Sequence, residues 1–192
     1  IRSQYLRSGA TASIVALTYR AGNEVLTLAA IYRLNAGQQQ EAQVKTLYGI
    51  FPSEVDVDGF DAVFYPGGHG PLWDLVSDAD STRIILDSDA AGRPLGLVCH
   101  APGILHPITA ADGTPFVRGR QVTGFTNGEE EAAQLTDVVP FLVEDSLIAA
   151  GADYRKGPDG ESFVVTDGTL VTGQNPASSA DAARRVLDLL AR

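Results

Sequence analysis

The stretch Pro94-Leu-Gly-Leu-Val-Cys-His-Ala-Pro102 constrains the fold more than any other part of the chain. Leu95-Gly-Leu-Val98 is a short run with no polar side chain, as expected of a parallel strand buried on both faces, and it meets Cys99 and then a helix start. A strand-to-helix corner projects its side chain above the end of a parallel sheet, while the new helix supplies free backbone N–H groups. Phe60-Asp-Ala-Val-Phe-Tyr65 is a second strand of this kind, and it ends in the turn Pro66-Gly-Gly-His-Gly70. Glycines just after a buried strand let backbone N–H groups approach a ligand, and such turns gather at the carboxyl ends of the strands.

The other elements fit around these two corners. Residues 12–22 read as a helix closed by Gly22, residues 24–30 as a buried parallel strand, and Gln38-Gln-Gln-Glu41 as a solvated loop or helix start. A short helix begins at residues 71–75, and a longer one covers 80–92 with Ile84, Ile85 and Ala91 on its buried side. Residues 118–125 read as a strand, 126–133 as a helix, and 138–150 as a helix stopped at Gly151. In residues 162–172 two apolar runs flank Asp167-Gly168, the signature of an edge hairpin. Asn175-Pro176 caps a last helix with Ala183, Val186, Leu187 and Leu190 on one face. Alternating strands and helices with short links imply an α/β fold with a mostly parallel sheet and right-handed crossovers, and the site is expected at the strands' carboxyl ends. At 192 residues the chain is expected to form a single domain, 1–192.

A net charge of −10 argues against nucleic acid or an anionic membrane as partner and leaves small neutral or cationic ligands open. The N-terminus lacks the apolar core of a signal peptide, and a single cysteine fits a reducing compartment, so a cytoplasmic location is expected. The sequence contains no methionine, even at position 1, so the gene product is expected to begin before Ile1.

Cys99 and His100 carry the candidate chemistry. A helix N-terminus and a neighbouring imidazole both lower a thiol pKa, and so favour a reactive thiolate. The same residues also fit a buried cysteine that ends a core strand. The Gly67-Gly68 turn is not Gly-x-Gly-x-x-Gly, so it suits an oxyanion better than a dinucleotide. The acidic run Glu129-Glu-Glu131 has a ready structural reading as a solvated helix cap.

Five ordered motifs extend this reading. Tyr65-Pro-Gly-Gly-His-Gly70, Trp73-Asp74-Leu75, Val98-Cys-His-Ala-Pro102, Val122-Thr-Gly-Phe-Thr126 with Glu129 to Glu131, and Thr172-Gly-Gln-Asn-Pro-Ala-Ser178 resemble the ThiJ/PfpI superfamily, whose domains are class I glutamine amidotransferase-like. The closest resemblance is to its heat-shock branch, described as glutathione-independent glyoxalases (glyoxalase III), chaperone-like stress proteins or intracellular proteases and amidases. The resemblance implies a flavodoxin-like three-layer sandwich, a homodimer, and no cofactor or metal. It makes Cys99 the nucleophile, His100 its acid/base partner, and the backbone N–H groups of Gly68 and His100 the oxyanion hole beside Gly67. A carboxylate placed by spacing at Glu130, with Glu129 its rival, would orient the histidine, and His69 would either line the mouth or serve as a turn histidine that only hydrogen-bonds backbone. His106 reads as structural.

The implied activity is conversion of methylglyoxal or another small carbonyl substrate to a 2-hydroxy acid in stress defence. A peptidase or amidase, and a holdase or redox sensor built on Cys99, are the alternatives. The superfamily also carries a glutamate after its first strand, whose place falls near Gly9 or Ala10, where neither residue is acidic. Loss of the acid, a rewired site, and an N-terminal sequence truncated or misread are the competing explanations, and the missing methionine favours the last.

Overall fold

The computed structural model describes residues 60–192 with their side chains and, before them, the backbone of four strands. These are β1 (Arg2–Arg7), β2 (Ser13–Ala21), β3 (Glu24–Leu28) and β4 (Ala30–Tyr32). The positions at Gly9 and Ala10, and the stretch Gln38 to Glu41, lie outside the described residues.

The N-terminal expectations are corrected. The segment read as a helix is strand β2, antiparallel to β1 and β3 in a three-stranded sheet. Ile14, Val15, Thr18 and Tyr19 explain it, because β-branched and aromatic side chains lose rotamer freedom in a helix and fit a pleated strand. Ala21 pairs with Glu24, so β2 runs extended to the β2–β3 connection and does not end as a helix. The strand at residues 24–30 is therefore antiparallel, and it ends at Leu28.

The main sheet has the order β4-β5-β6-β10-β9, with β5 (Ala62–Tyr65), β6 (Leu95–Val98), β9 (Val164–Asp167) and β10 (Leu170–Gly173). The central strands β5, β6 and β10 run parallel, and the outer strands β4 and β9 are antiparallel to their neighbours. β9 and β10 form the expected edge hairpin. Its two-residue loop is Gly168-Thr169, one position later than Asp167-Gly168, because only Gly168 has positive φ, the pattern of a type II′ turn.

Side-chain alternation gives the sheet two buried faces. Val63, Tyr65, Leu95, Leu97 and Leu170 pack with Ile84 and Ile85 of helix α1 (Ala79–Ala90), while Ala62, Phe64, Val98 and Val171 pack with Ala182, Ala183 and Val186 of helix α4 (Ser179–Leu190). Each large aliphatic side chain removed from water contributes roughly 1.5–3 kcal/mol. A Cβ on Gly96 would overlap the Phe64 ring and stand 3.0 Å from Val186 Cγ2, so glycine is what lets α4 reach the sheet. Helices on both faces of a mostly parallel sheet make the flavodoxin-like α/β arrangement implied above.

Smaller corrections have local causes. Ala91 is exposed, since it caps α1 beyond its last buried turn. The strand expected at residues 118–125 shrinks to β7 (Gln121–Val122), paired with β8 (Asp153–Tyr154). The helix expected over 138–150 is confined to α3 (Val143–Ala149), because Pro140 cannot donate to the preceding turn and disfavours a helical Val139. Among the described residues no helix is long and apolar enough to cross a membrane.

Candidate active site

Cys99 follows β6 with φ 65°, a left-handed conformation rarely adopted by a residue with a Cβ. The strain persists because both its peptide groups are held: its N–H donates to the Gly173 carbonyl at 2.9 Å, and its own carbonyl accepts from Phe125 N–H at 2.9 Å. The corner that follows is a 3₁₀ turn, Ala101–Leu105, and not an α-helix, since Pro107 blocks its continuation. Beside it, Gly67 (φ 89°) and Gly68 (φ 85°) turn the chain leaving β5. A Cβ on Gly67 would overlap the Val98 carbonyl oxygen and lie 2.9 Å from Cys99 Cβ, so only glycine passes this close to the corner. The backbone N–H groups of Gly68 and His100 both donate to the Cys99 sulfur.

Helix α2 (Asn127–Ala132) supplies the carboxylate. Thr126 caps it in a box with Glu129, each side chain meeting the other's backbone N–H at 3.0 Å. The Glu129 carboxylate also accepts from Asn175 Nδ2 (2.7 Å), Gly160 N–H (2.8 Å) and Gln174 Nε2 (3.2 Å). Glu129 therefore ties α2 to the segments that follow β8 and β10, and it does not meet the histidine. Glu130, one residue on, does. His100 Nε2–H donates to Glu130 Oε2 at 2.7 Å, and His69 Nε2–H donates to Glu130 Oε1 at 3.1 Å. A carboxylate only accepts, so Nε2 of His100 carries its proton and Nδ1 is left as an acceptor, 3.2 Å from Cys99 Sγ. The structure thus brings together Cys99, His100, Glu130, Gly68, Gly67 and His69. His106 stands apart, donating from Nδ1 to the Gly103 carbonyl at 2.8 Å and packing on Phe141.

Two electrostatic expectations change. The acidic run is not a solvated cap: Glu129 and Glu130 are buried, and only Glu131 is exposed. Nor is the thiol pKa lowered. Burial pushes Cys99 up to about 12, with Gly68 and His100 N–H groups opposing and Glu129 and Glu130 adding to the rise. A short 3₁₀ turn carries little of the dipole that a long helix would direct at the sulfur, so desolvation prevails. Burial likewise lowers His100 to about 4, with neighbouring His69 acting in the same direction and Glu130 against it. The pair rests as thiol and neutral imidazole, with Nδ1 placed to take the thiol proton.

His69, His100 and Glu130 each offer one donor atom within 4.8 Å of the others, a grouping of metal-ligand type, but the Nε2–H groups of both histidines are already committed to the carboxylate. Sequence reasoning missed Gln174, Asn175 and the contact of His69 with Glu130. The pattern Thr126-Asn-Gly-Glu129 is itself a capping-box signature, and it could have assigned Glu129 to the cap and left Glu130 for the histidine.

Comparison with known proteins bears on the family and the fold. The model of the DJ-1/PfpI family matches residues 11–189. The chain is 35% identical over 156 residues to glutathione-independent glyoxalase HSP31 of Saccharomyces cerevisiae, covering 78% of this chain and 63% of that protein. It is 32% identical over 142 residues to Glyoxalase 3 of Candida albicans, covering 70% of this chain and 60% of that one. Among solved structures, Rapid Encystment Protein 24 KDa of Francisella tularensis superposes with a TM-score of 0.71 at 37% identity, over 72% of this chain and 62% of that chain. Glyoxalase III from Candida albicans superposes with a TM-score of 0.67 at 31% identity, over 72% and 60%. The chain thus spans less than two thirds of the length of each of these relatives.

Proposed function

The chain belongs to the DJ-1/PfpI family, and from that premise we propose that it is a cysteine-dependent glyoxalase, needing neither glutathione nor a cofactor, that converts 2-oxoaldehydes such as methylglyoxal to 2-hydroxy acids. The observation that carries this reading is the hydrogen-bonded line Cys99–His100–Glu130, with the N–H groups of Gly68 and His100 directed at the sulfur. Relatives named glutathione-independent glyoxalases support it.

Each group has a task in the reaction. Cys99 Sγ attacks the aldehyde carbon as its proton passes to His100 Nδ1, and the oxyanion forms where the two backbone N–H groups converge. His100 returns the proton to that oxygen, giving a thiohemiacetal. Moving the C1 proton to C2 through an enediol, with His100 as the base, turns the thiohemiacetal into a 2-hydroxy thioester without net oxidation. Water then adds to the thioester carbonyl, the C–S bond breaks, and the sulfur regains its proton. Glu130 keeps the imidazole in the required tautomer and stabilises the imidazolium formed at each transfer.

The test is lactate production from methylglyoxal in the absence of glutathione, by the wild-type chain and Cys99→Ser. We expect lactate from the first and none above background from the second, with the circular dichroism spectrum unchanged. Turnover retained by Cys99→Ser would remove the nucleophile from the scheme. No lactate from the wild type would overturn the glyoxalase reading and favour a holdase or redox sensor.

A further inference from the structure

Two buried carboxylates stand behind Cys99, and among the described residues no lysine or arginine forms an ion pair with either. Glu130 accepts from His100 Nε2–H at 2.7 Å, and Nδ1 of the same imidazole lies 3.2 Å from Cys99 Sγ, so a single ring separates the carboxylate from the sulfur. Glu129 is met by backbone N–H groups and by the amides of Gln174 and Asn175, all of them neutral. A third carboxylate, Asp159, accepts from Thr126 Oγ1–H at 2.6 Å at the cap of α2. Lys156, in the same loop as Asp159, is bound to Glu144 at 2.7 Å. The charge of both glutamates reaches the sulfur, since each adds to the rise that burial gives the Cys99 thiol.

The corner therefore stays negative throughout the attack. When the thiol passes its proton to His100, a negative sulfur and a positive ring appear together, so the sum over the site remains that of the glutamates. A reagent with a negative charge of its own must approach against that field, in a place where water screens poorly. A neutral carbonyl compound meets no such repulsion, and a cationic one is attracted. Setting like charge against an unwanted ligand is how a site separates two ligands of one shape. The oxyanion formed later is treated differently, because the N–H groups of Gly68 and His100 converge to receive it.

We propose that Glu129 and Glu130 select the substrate by charge: Cys99 reacts with uncharged or cationic carbonyl compounds and rejects those that carry a carboxylate or phosphate close to the reacting carbon. This rests on Cys99 as the nucleophile of the proposed reaction, and it narrows the substrates to those without an anionic group.

The experiment compares alkylation of Cys99 by iodoacetamide and by iodoacetate, reagents of nearly the same shape that differ by one negative charge. Rates are read by intact mass at about pH 8, where an imidazole is ordinarily neutral. Cys99 is the only cysteine, so the mass increment reports on it alone. The same two rates on 2-mercaptoethanol, an uncharged thiol, give the intrinsic preference between the reagents. Relative to that preference, the wild type is expected to disfavour iodoacetate by about tenfold or more, and Glu130→Gln to recover about threefold or more of the discrimination. Discrimination below about threefold in the wild type would overturn the proposal, and so would undiminished discrimination in a Glu130→Gln variant with the wild-type circular dichroism spectrum. The wild-type ratio decides the matter even if the variant does not fold. If neither reagent modifies Cys99, the nucleophile itself fails and the selection with it. A failed lactate assay with the discrimination intact would remove the glyoxalase reading and leave the charge selection standing, so the two failures are distinguishable.

Discussion

Glu130→Gln tests the electrostatic core of the site with almost no change in shape. The amide oxygen can still accept from His100 Nε2–H, so the imidazole keeps its tautomer, but the negative charge 2.7 Å from the ring nitrogen is lost. At that distance an imidazolium and a carboxylate attract by roughly 6 kcal/mol at an effective dielectric constant near 20, a gross figure that the cost of holding a buried carboxylate largely offsets. The difference between a charge-assisted and a neutral hydrogen bond is smaller, about 1–2 kcal/mol. Since 1.36 kcal/mol is a factor of ten in rate, Glu130→Gln should lower turnover by about 5- to 30-fold, far short of the complete loss expected for Cys99→Ser. The fall should lie in kcat more than KM, because the charge is needed only once His100 is protonated. Steady-state lactate formation measures it, with Cys99 alkylation at neutral pH as a substrate-free check. A loss below threefold in both would show that Glu130 does no more than fix the ring's orientation.

Glu129 should matter for stability. Glu129→Ala leaves Asn175 Nδ2, Gly160 N–H, Gln174 Nε2 and Thr126 N–H short of an acceptor in a buried region, and it is expected to cost about 3 kcal/mol or more. Exposed Glu131→Ala should cost under about 0.5 kcal/mol. Urea midpoints compare the two, and equal losses would contradict the assigned network. Stability should also fall at both pH extremes. With His100 lowered from the usual 6.5 to about 4, the unfolded chain takes up the proton first, so roughly 3 kcal/mol is lost as pH drops through that window. With Cys99 raised from 9.0 to about 12, the unfolded thiol ionises first, so up to about 4 kcal/mol is lost as pH rises through that window, and the raised phenols of buried Tyr65 and half-buried Tyr154 act in the same direction. Urea unfolding of Cys99→Ser should therefore show a shallower alkaline decline than the wild type, and identical declines would mean that the thiol is not held protonated by the fold.

The apolar runs, the glycine turn, the hairpin and the capped last helix were legible in the sequence because each is a local matter: periodicity and turn chemistry act over a few neighbouring residues. The cysteine corner was legible for the same reason. Where the sequence misled, a local rule met a stronger competitor. In residues 12–22 the glycine suggested a helix end, but Ile14, Val15, Thr18 and Tyr19 fit a strand, and at residues 138–142 a helical pattern was broken by Pro140. What no local rule could supply was the burial and the company of the charged groups. The same acidic run that caps α2 holds one glutamate tied to Asn175 and Gln174, a second between two imidazoles, and a third in solvent. The direction of the thiol pKa also reversed, because desolvation depends on everything packed around Cys99 and not on the residues beside it in the chain. His69 and Glu130 lie 61 positions apart and meet only because β5, β6 and the segment leading to α2 bring their carboxyl ends to one edge of the sheet. Sequence alone thus determined the type of fold and the candidate nucleophile, while tertiary structure decided which carboxylate stands against the histidine and that the thiol is held protonated, since electrostatic energy inside a protein depends on distance and burial in space.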